Sequence, residues 1–187
     1  MSDEPDLNAE WHADRRAHRL RTIQQQRPVM LRHEGELDPR VEAWGRSLVA
    51  GTAMNLILVG SVGRTKTWSA WEVLERAVAN GYAGWVDFAT VADWQDATTP
   101  PVDKDRLKAM RVADMLVLDD LGSARINDWQ RECMLSVIDE RWQHARPTII
   151  TTNMQKLTEP LGERLASRIK DGATLVALGG EDRRSGR

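Results

Sequence analysis

Residues 54–67, MNLILVGSVGRTKT, constrain this chain more than any other stretch. An apolar strand signal (Leu56, Ile57, Leu58, Val59) runs into the turn Gly60, Ser61, Val62, Gly63, Arg64, Thr65, Lys66, Thr67, and a helical pattern follows at once. Strand, Gly-rich turn, Lys-Thr and helix in that order make a phosphate cradle, because backbone N–H groups and a helix N-terminus converge on a multiply charged anion. Gly60 and Gly63 are expected to supply backbone angles closed to other residues. Lys66 would place a point charge on the β/γ-phosphates, and the Thr67 hydroxyl would ligate Mg²⁺. One position departs from the pattern: Thr65 stands where a glycine usually precedes the lysine.

The chain of 187 residues fits one domain of ordinary size with short appendages. With 41% apolar and 29% charged residues it has the composition of a soluble globular protein, and no apolar run approaches the roughly 18 residues that cross a bilayer. The acidic start MSDEPDLNAE lacks the apolar stretch of a secretory signal. The single cysteine, Cys133, excludes an internal disulfide and suits a reducing cytoplasm. A net charge of −2 excludes the global basic field of a nucleic-acid coat, so any contact with single-stranded DNA must be local and weak.

Residues 1–27 carry acidic residues first and basic ones after, without core-like periodicity. A helix over about 8–25 there would be a tail or a docking segment. Asp38-Pro39 starts a short amphipathic helix through Val41, Trp44, Leu48 and Val49. After the phosphate loop, Trp68, Trp71, Leu74 and Val78 define the buried face of a helix ending at Gly81. A strand at Trp85–Phe88, helices over 90–97 and 103–111, and an apolar strand Met115–Leu118 ending in Asp119-Asp120 come next. A long helix over 128–144 follows, with Met134, Leu135, Ile138 and Trp142 as its buried stripe. A strand at Pro147–Thr151 leads to Thr152-Asn153, then a helix through Leu161–Ile169 and a last strand Thr174–Leu178. Alternation of this kind predicts an α/β three-layer αβα sandwich around a central, mostly parallel five-stranded sheet.

Parallel sheets bind ligands at the carboxyl ends of their strands, and three such ends carry polar groups here. Two carboxylates at the edge of a core sheet repel each other unless a cation lies between them. Asp119 is therefore expected to hold Mg²⁺ through water, and Asp120 to orient or deprotonate an attacking water. Thr152 and Asn153 would hydrogen-bond the γ-phosphate or that water.

With GSVGRTKT, LVLDDLG, TIITTN and LGERLASRI together, the chain resembles the DnaC/IstB-type helicase-loader branch of the AAA+ ATPases over about residues 38–180. The resemblance implies an ATP site in which Lys66 and Thr67 are the Walker A lysine and hydroxyl, Asp119 and Asp120 the Walker B pair, and Asn153 sensor 1. It also implies that Arg168 is an arginine finger presented to the nucleotide of a neighbouring subunit, and that no C-terminal helical lid follows. Residues 1–36 then form an N-terminal segment for partner docking, 37–180 the ATP-binding domain and 181–187 a basic tail.

The function implied is loading of a replicative DNA helicase, as a homo-oligomer around single-stranded DNA. An IstB-type accessory ATPase of transposition shares all these motifs. Thr65 leaves open a non-hydrolysing adaptor with a degenerate loop, whereas a small-molecule kinase explains LDDLG poorly. If Thr65 crowds the phosphates, glycine there should tighten ATP binding about fivefold to tenfold.

Overall fold

A computed structural model describes residues 7–61, 63, 65–123, 125–154 and 157–179. Val62, Arg64 and the tail 181–187 lie outside the described residues. Five strands, β1 (Leu56–Val59), β2 (Val86–Thr90), β3 (Met115–Leu121), β4 (Thr148–Thr152) and β5 (Thr174–Ala177), form one sheet in the order β2-β3-β4-β1-β5. Every pairing is parallel. The eight helices assigned among the described residues are α1 (Leu7–Gln26), α2 (Pro39–Val49), α3 (Thr65–Ala79), α4 (Val91–Thr98), α5 (Lys104–Val112), α6 (Asp128–Gln143), α7 (Thr158–Leu161) and α8 (Glu163–Lys170).

The period-2 alternation of the strands divides the core in two. Leu56, Leu58, Met115, Val117, Ile149 and Val176 face α2 and α3. Ile57, Leu116, Leu118 and Ile150 face α4, α5, α6 and α8. Covered on both faces, the strands can be apolar throughout, which is why LILV and MLVL read as unbroken hydrophobic runs. Each fully buried aliphatic side chain contributes about 1.5–3 kcal/mol through removal from water. Caps set the helix starts: Asp38, Thr90, Asp103 and Asn127 each accept from a backbone N–H in the first turn.

Several boundaries and faces differ from expectation. The helix expected over Leu161–Ile169 is interrupted at Gly162, whose φ of 81° no helical residue adopts. On α6 the buried residues are Gln130, Cys133, Met134, Val137, Ile138 and Arg141, while Leu135 and Trp142 are only half-buried. Arg141 is buried because carbonyls surround it: its guanidinium donates to Met110 O at 2.9 Å, Ala113 O at 2.7 Å and Pro147 O at 2.6 Å, and to Thr148 Oγ1 at 2.9 Å. Burial pulls its pKa down to about 10.

The segment before α2 is not free of core contacts. Ile23 and Leu31 are buried with α2 and α3. Arg27, 5% exposed, pairs with Glu72 and Glu75 of α3 and donates to Leu31 O at 3.0 Å. A few apolar contacts plus ion pairs give too weak a core-facing periodicity to stand out in the sequence. Farther along, His33 stacks on Trp68 at 5.5 Å between ring centroids, and its carbonyl accepts from the indole N–H at 3.0 Å.

Candidate nucleotide site

The carboxyl ends of β1, β3 and β4 converge beside the start of α3. That helix carries Thr65, Lys66 and Thr67 in its first turn with no acidic residue among them, so its dipole is left facing an anion. Lys66 is only 5% exposed, and its Nζ donates to the loop carbonyls of Gly60 at 3.1 Å and Ser61 at 2.7 Å. Burial pulls the ammonium below its ordinary lysine range, against the attraction of Asp120 and Asp119. Neither Gly60 nor Gly63 has a positive φ. Gly60 is required for another reason: a Cβ there would lie 2.6 Å from the Leu178 carbonyl oxygen, which follows β5.

Thr65 opens α3 with an ordinary backbone and an exposed side chain. Its position needs no glycine, and its side chain has solvent to turn into. Thr65→Gly is accordingly expected to tighten ATP binding by no more than about fivefold, the lower end of what crowding would allow, since glycine also loosens the helix start. Titration with a fluorescent ATP analogue measures it. Weaker binding in the variant would show that the loop is built around threonine.

Asp119 is the hub of the site. It lies on the α3 face of β3, is 7% exposed, and accepts from Thr67 Oγ1 at 3.0 Å and from Thr151 Oγ1 at 2.6 Å. The same Thr151 hydroxyl accepts from the Asp120 backbone N–H at 2.8 Å. The β3–β4 ladder shifts register between Leu118 and Leu121, so that Asp119 and Asp120 stand opposite Thr151 alone. A bulge of this kind re-aims a side chain. Asp120 adopts φ 63° and is exposed, whereas Leu121 returns to the core. The two carboxylates avoid each other by facing different ways, one into the sheet edge and one into solvent.

Thr151 was missed by the sequence reading, which looked one residue too far. Alternation along β4 places Thr151 on the α3 face with Ile149, as alternation along β3 places Asp119 there with Val117. Thr152 is instead buried, donating to Leu121 O at 2.6 Å and accepting from Met154 N–H at 3.0 Å, so it is not directed at a ligand. Asn153 is exposed at the bend after β4, at the same end of the sheet as Asp120. Arg168, in the last turn of α8, lies away from this group: its Nε donates to Asp139 Oδ1 at 2.8 Å.

These donors fit Mg-ATP. A threonine hydroxyl and a carboxylate are hard oxygen ligands of the number a protein usually gives Mg²⁺, with phosphates and water supplying the rest. No cluster of three His, Cys, Asp or Glu among the described residues offers an all-protein metal cage. A buried lysine held only by loop carbonyls can exchange them for phosphate oxygens.

Burial pushes the Asp119 carboxyl above its usual range, with the Thr151 and Thr67 hydrogen bonds opposing. Because the folded value stands above the unfolded one, this group favours the fold most at low pH, and that contribution is lost as pH rises through the folded value. At neutral pH the ionised carboxylate costs stability until a cation joins it. Asp119→Asn is therefore expected to raise the nucleotide-free melting midpoint at pH 7 by about 2–4 °C, and by less as pH approaches 4. Thermal scans across that range test it. A midpoint unchanged or lowered at pH 7 would show that the carboxylate's hydrogen bonds outweigh its burial.

A parallel five-stranded sheet with a Lys-Thr phosphate loop between β1 and α3 and an Asp pair ending β3 defines an AAA+ P-loop fold of the nucleotide-binding class. Residues 15–169 match the family model described as IstB-like ATP binding protein, and the chain belongs to that family. It is 26% identical over 136 residues to the replicative helicase loader DnaC of Escherichia coli K12, covering 68% of this chain and 55% of the relative. The crystal structure of the DnaC helicase loader superposes with a TM-score of 0.64 at 29% identity, covering 79% of this chain and 93% of that one. The structure of DnaI, at 19% identity, shares the fold with a TM-score of 0.65 over 88% of this chain and 93% of that one. The chain spans about half the length of the curated relatives it matches. No helix among the described residues is long and apolar enough to cross a membrane.

Proposed function

We propose that this chain is an AAA+ ATPase that places a replicative DNA helicase on single-stranded DNA, working as a homo-oligomer with ATP sites shared between neighbours. The observation that carries the reading is the junction of Lys66, Thr67 and Asp119 at one sheet end, with Asp120 turned outward beside them. Bound there, Mg²⁺ would neutralise charge on the triphosphate. Lys66 and the α3 N-terminus would bind the triphosphate, Thr67 would ligate the metal and Asp119 would hold it through water, Asp120 would orient or deprotonate the attacking water, and Asn153 would donate to the γ-phosphate or that water. The backbone of Ser61, Gly63 and Thr65 completes the cradle around the phosphates.

Arg168 acts in trans. It precedes β5, whose first residue pairs with Leu56, so it sits at the amino ends of the strands. Its own phosphate loop is at the carboxyl ends, a strand length or on the order of 13 Å away along β1. A guanidinium at that end can meet only another copy's triphosphate, in a head-to-tail assembly.

Residues 1–36 dock the partner and residues 37–180 carry the ATP-binding domain. That the DnaC relative is a replicative helicase loader supports the partner class. The IstB-like family description supports the second reading, an accessory ATPase of transposition.

Magnesium-dependent ATP hydrolysis by the purified chain, alone and with single-stranded DNA and with helicase, tests the reading. Hydrolysis with delivery of helicase onto the DNA is expected. Nucleotide binding with no turnover under any of these conditions would favour the adaptor, and turnover that responds to a transposase and not to a helicase would favour the second reading.

A further inference from the structure

Arg168 is held on two sides by its own chain. Its Nε donates to Asp139 Oδ1 at 2.8 Å, and its guanidinium carbon lies 3.7 Å from the centroid of the Trp142 ring. Trp142 is itself fixed, since its indole N–H donates to Asp171 Oδ2 at 2.6 Å. Asp139 and Trp142 are three residues apart on α6 and so share one helix face, the face on which α8 lies.

A guanidinium carries five N–H donors in one plane. Here the inner edge is occupied by a carboxylate and one face by an indole, while neither Nη group donates to any described residue. The outer fork, the edge that grips a phosphate bidentately, stays open. Nor does the brace cancel the charge. An indole face attracts a cation without neutralising it, and Asp139 is shared with Arg164, 3.4 Å away, leaving two arginines to one carboxylate. Arg164 is loosely held by comparison, with its side chain 69% exposed against 31% for Arg168.

We propose that Asp139 and Trp142 are positioning residues that hold Arg168 pre-oriented, its two Nη groups presented to the triphosphate of a neighbouring copy. The inference rests on the trans role of Arg168. An arginine that stabilises charge developing on the γ-phosphoryl is most effective when already in place, because ordering a long side chain at the moment of reaction raises the barrier. The brace does that ordering in advance, at folding.

The test is single-turnover and steady-state ATP hydrolysis by the full chain carrying Asp139→Ala, Trp142→Leu, Trp142→Phe or Arg164→Ala, with the first two also placed in an Arg168→Ala background. Asp139→Ala and Trp142→Leu should each lower kcat about tenfold with KM for ATP within about twofold, as for a group used only in the transition state. Trp142→Phe should recover most of the rate because a benzene face still accepts the cation. Arg164→Ala should stay near the parent. In the Arg168→Ala background, neither substitution should lower the rate further; a further loss there would mean that the pair serves only α6–α8 packing, and the proposal fails. If Asp139→Ala melts well below the parent, Asp139→Asn, which keeps the side chain's size, replaces it. Parent rates in Asp139→Ala and Trp142→Leu alongside a crippled Arg168→Ala would overturn the brace and leave the trans role standing. Full hydrolysis by Arg168→Ala would overturn both.

Discussion

Asp120→Asn is expected to bind ATP within about twofold of the parent and to turn it over at least about a hundredfold more slowly. The geometry makes this a clean substitution. Asp120 sits at φ 63°, where Asn is among the few side chains that fit comfortably, so the bulge survives the change. Its backbone N–H still donates to Thr151, and Asp119, the hub between Thr67 and Thr151, is untouched. What disappears is a solvent-facing anion that can accept a proton or align water. Asp120→Ala is a poorer probe, because it strains the backbone and confounds chemistry with folding. Titration with a nucleotide analogue and steady-state hydrolysis separate the two effects. A variant that hydrolyses at the parent rate would make Asp120 a turn residue, and its exposure would then reflect only the register shift of β3.

The three layers and the five parallel strands were legible because they follow from burial, whereas the order β2-β3-β4-β1-β5 came only from the structure. LILV and MLVL are apolar on both sides, and Ile149 and Ile150 of β4 bury on opposite faces, as a doubly covered parallel sheet needs, while Trp68, Trp71, Leu74 and Val78 all bury where a helical stripe places them. Lys66, Thr67, Asp119 and Asp120 were legible because a phosphate loop and an acidic strand end are local patterns. Less legible was whatever depends on neighbours distant in sequence. Thr151 joins the site through a bulge whose register is a property of two strands together. Arg141 buries because carbonyls from α5, its following turn and the start of β4 meet it, and composition cannot reveal that. Trp142 looked like core and is instead the shelf under Arg168, a role visible only once α8 is laid on α6. Ile23, Leu31 and the Arg27 ion pairs with Glu72 and Glu75 anchor the N-terminal segment to the α2–α3 layer, contacts too sparse to mark a core-facing stripe in the sequence.

A mixture of two inactive chains is expected to hydrolyse ATP. Lys66→Ala removes the cation that the loop directs at the β/γ-phosphates, so that chain binds nucleotide poorly but still presents Arg168 to its neighbour. Arg168→Ala keeps an intact loop, binds ATP near the parent affinity, and hydrolyses it at least about a thousandfold more slowly, the lower side of what arginine fingers contribute. Where an Arg168→Ala loop meets a Lys66→Ala neighbour, every group of the site is present. In a one-to-one mixture with random assembly that arrangement arises at about a quarter of head-to-tail junctions, so about a quarter of the parent rate should return. The recovery should grow with protein concentration and vanish under dilution, which distinguishes a shared site from slow hydrolysis within one chain. The positions of the two groups require this outcome if they cooperate at all: Lys66 lies at the carboxyl ends of the strands and Arg168 at the amino ends, so one chain cannot bring them together. Activity that stays at the level of the two variants measured separately, in a mixture shown by crosslinking to co-assemble, would remove Arg168 from the ATP site and leave its contacts with Asp139 and Trp142 as packing alone.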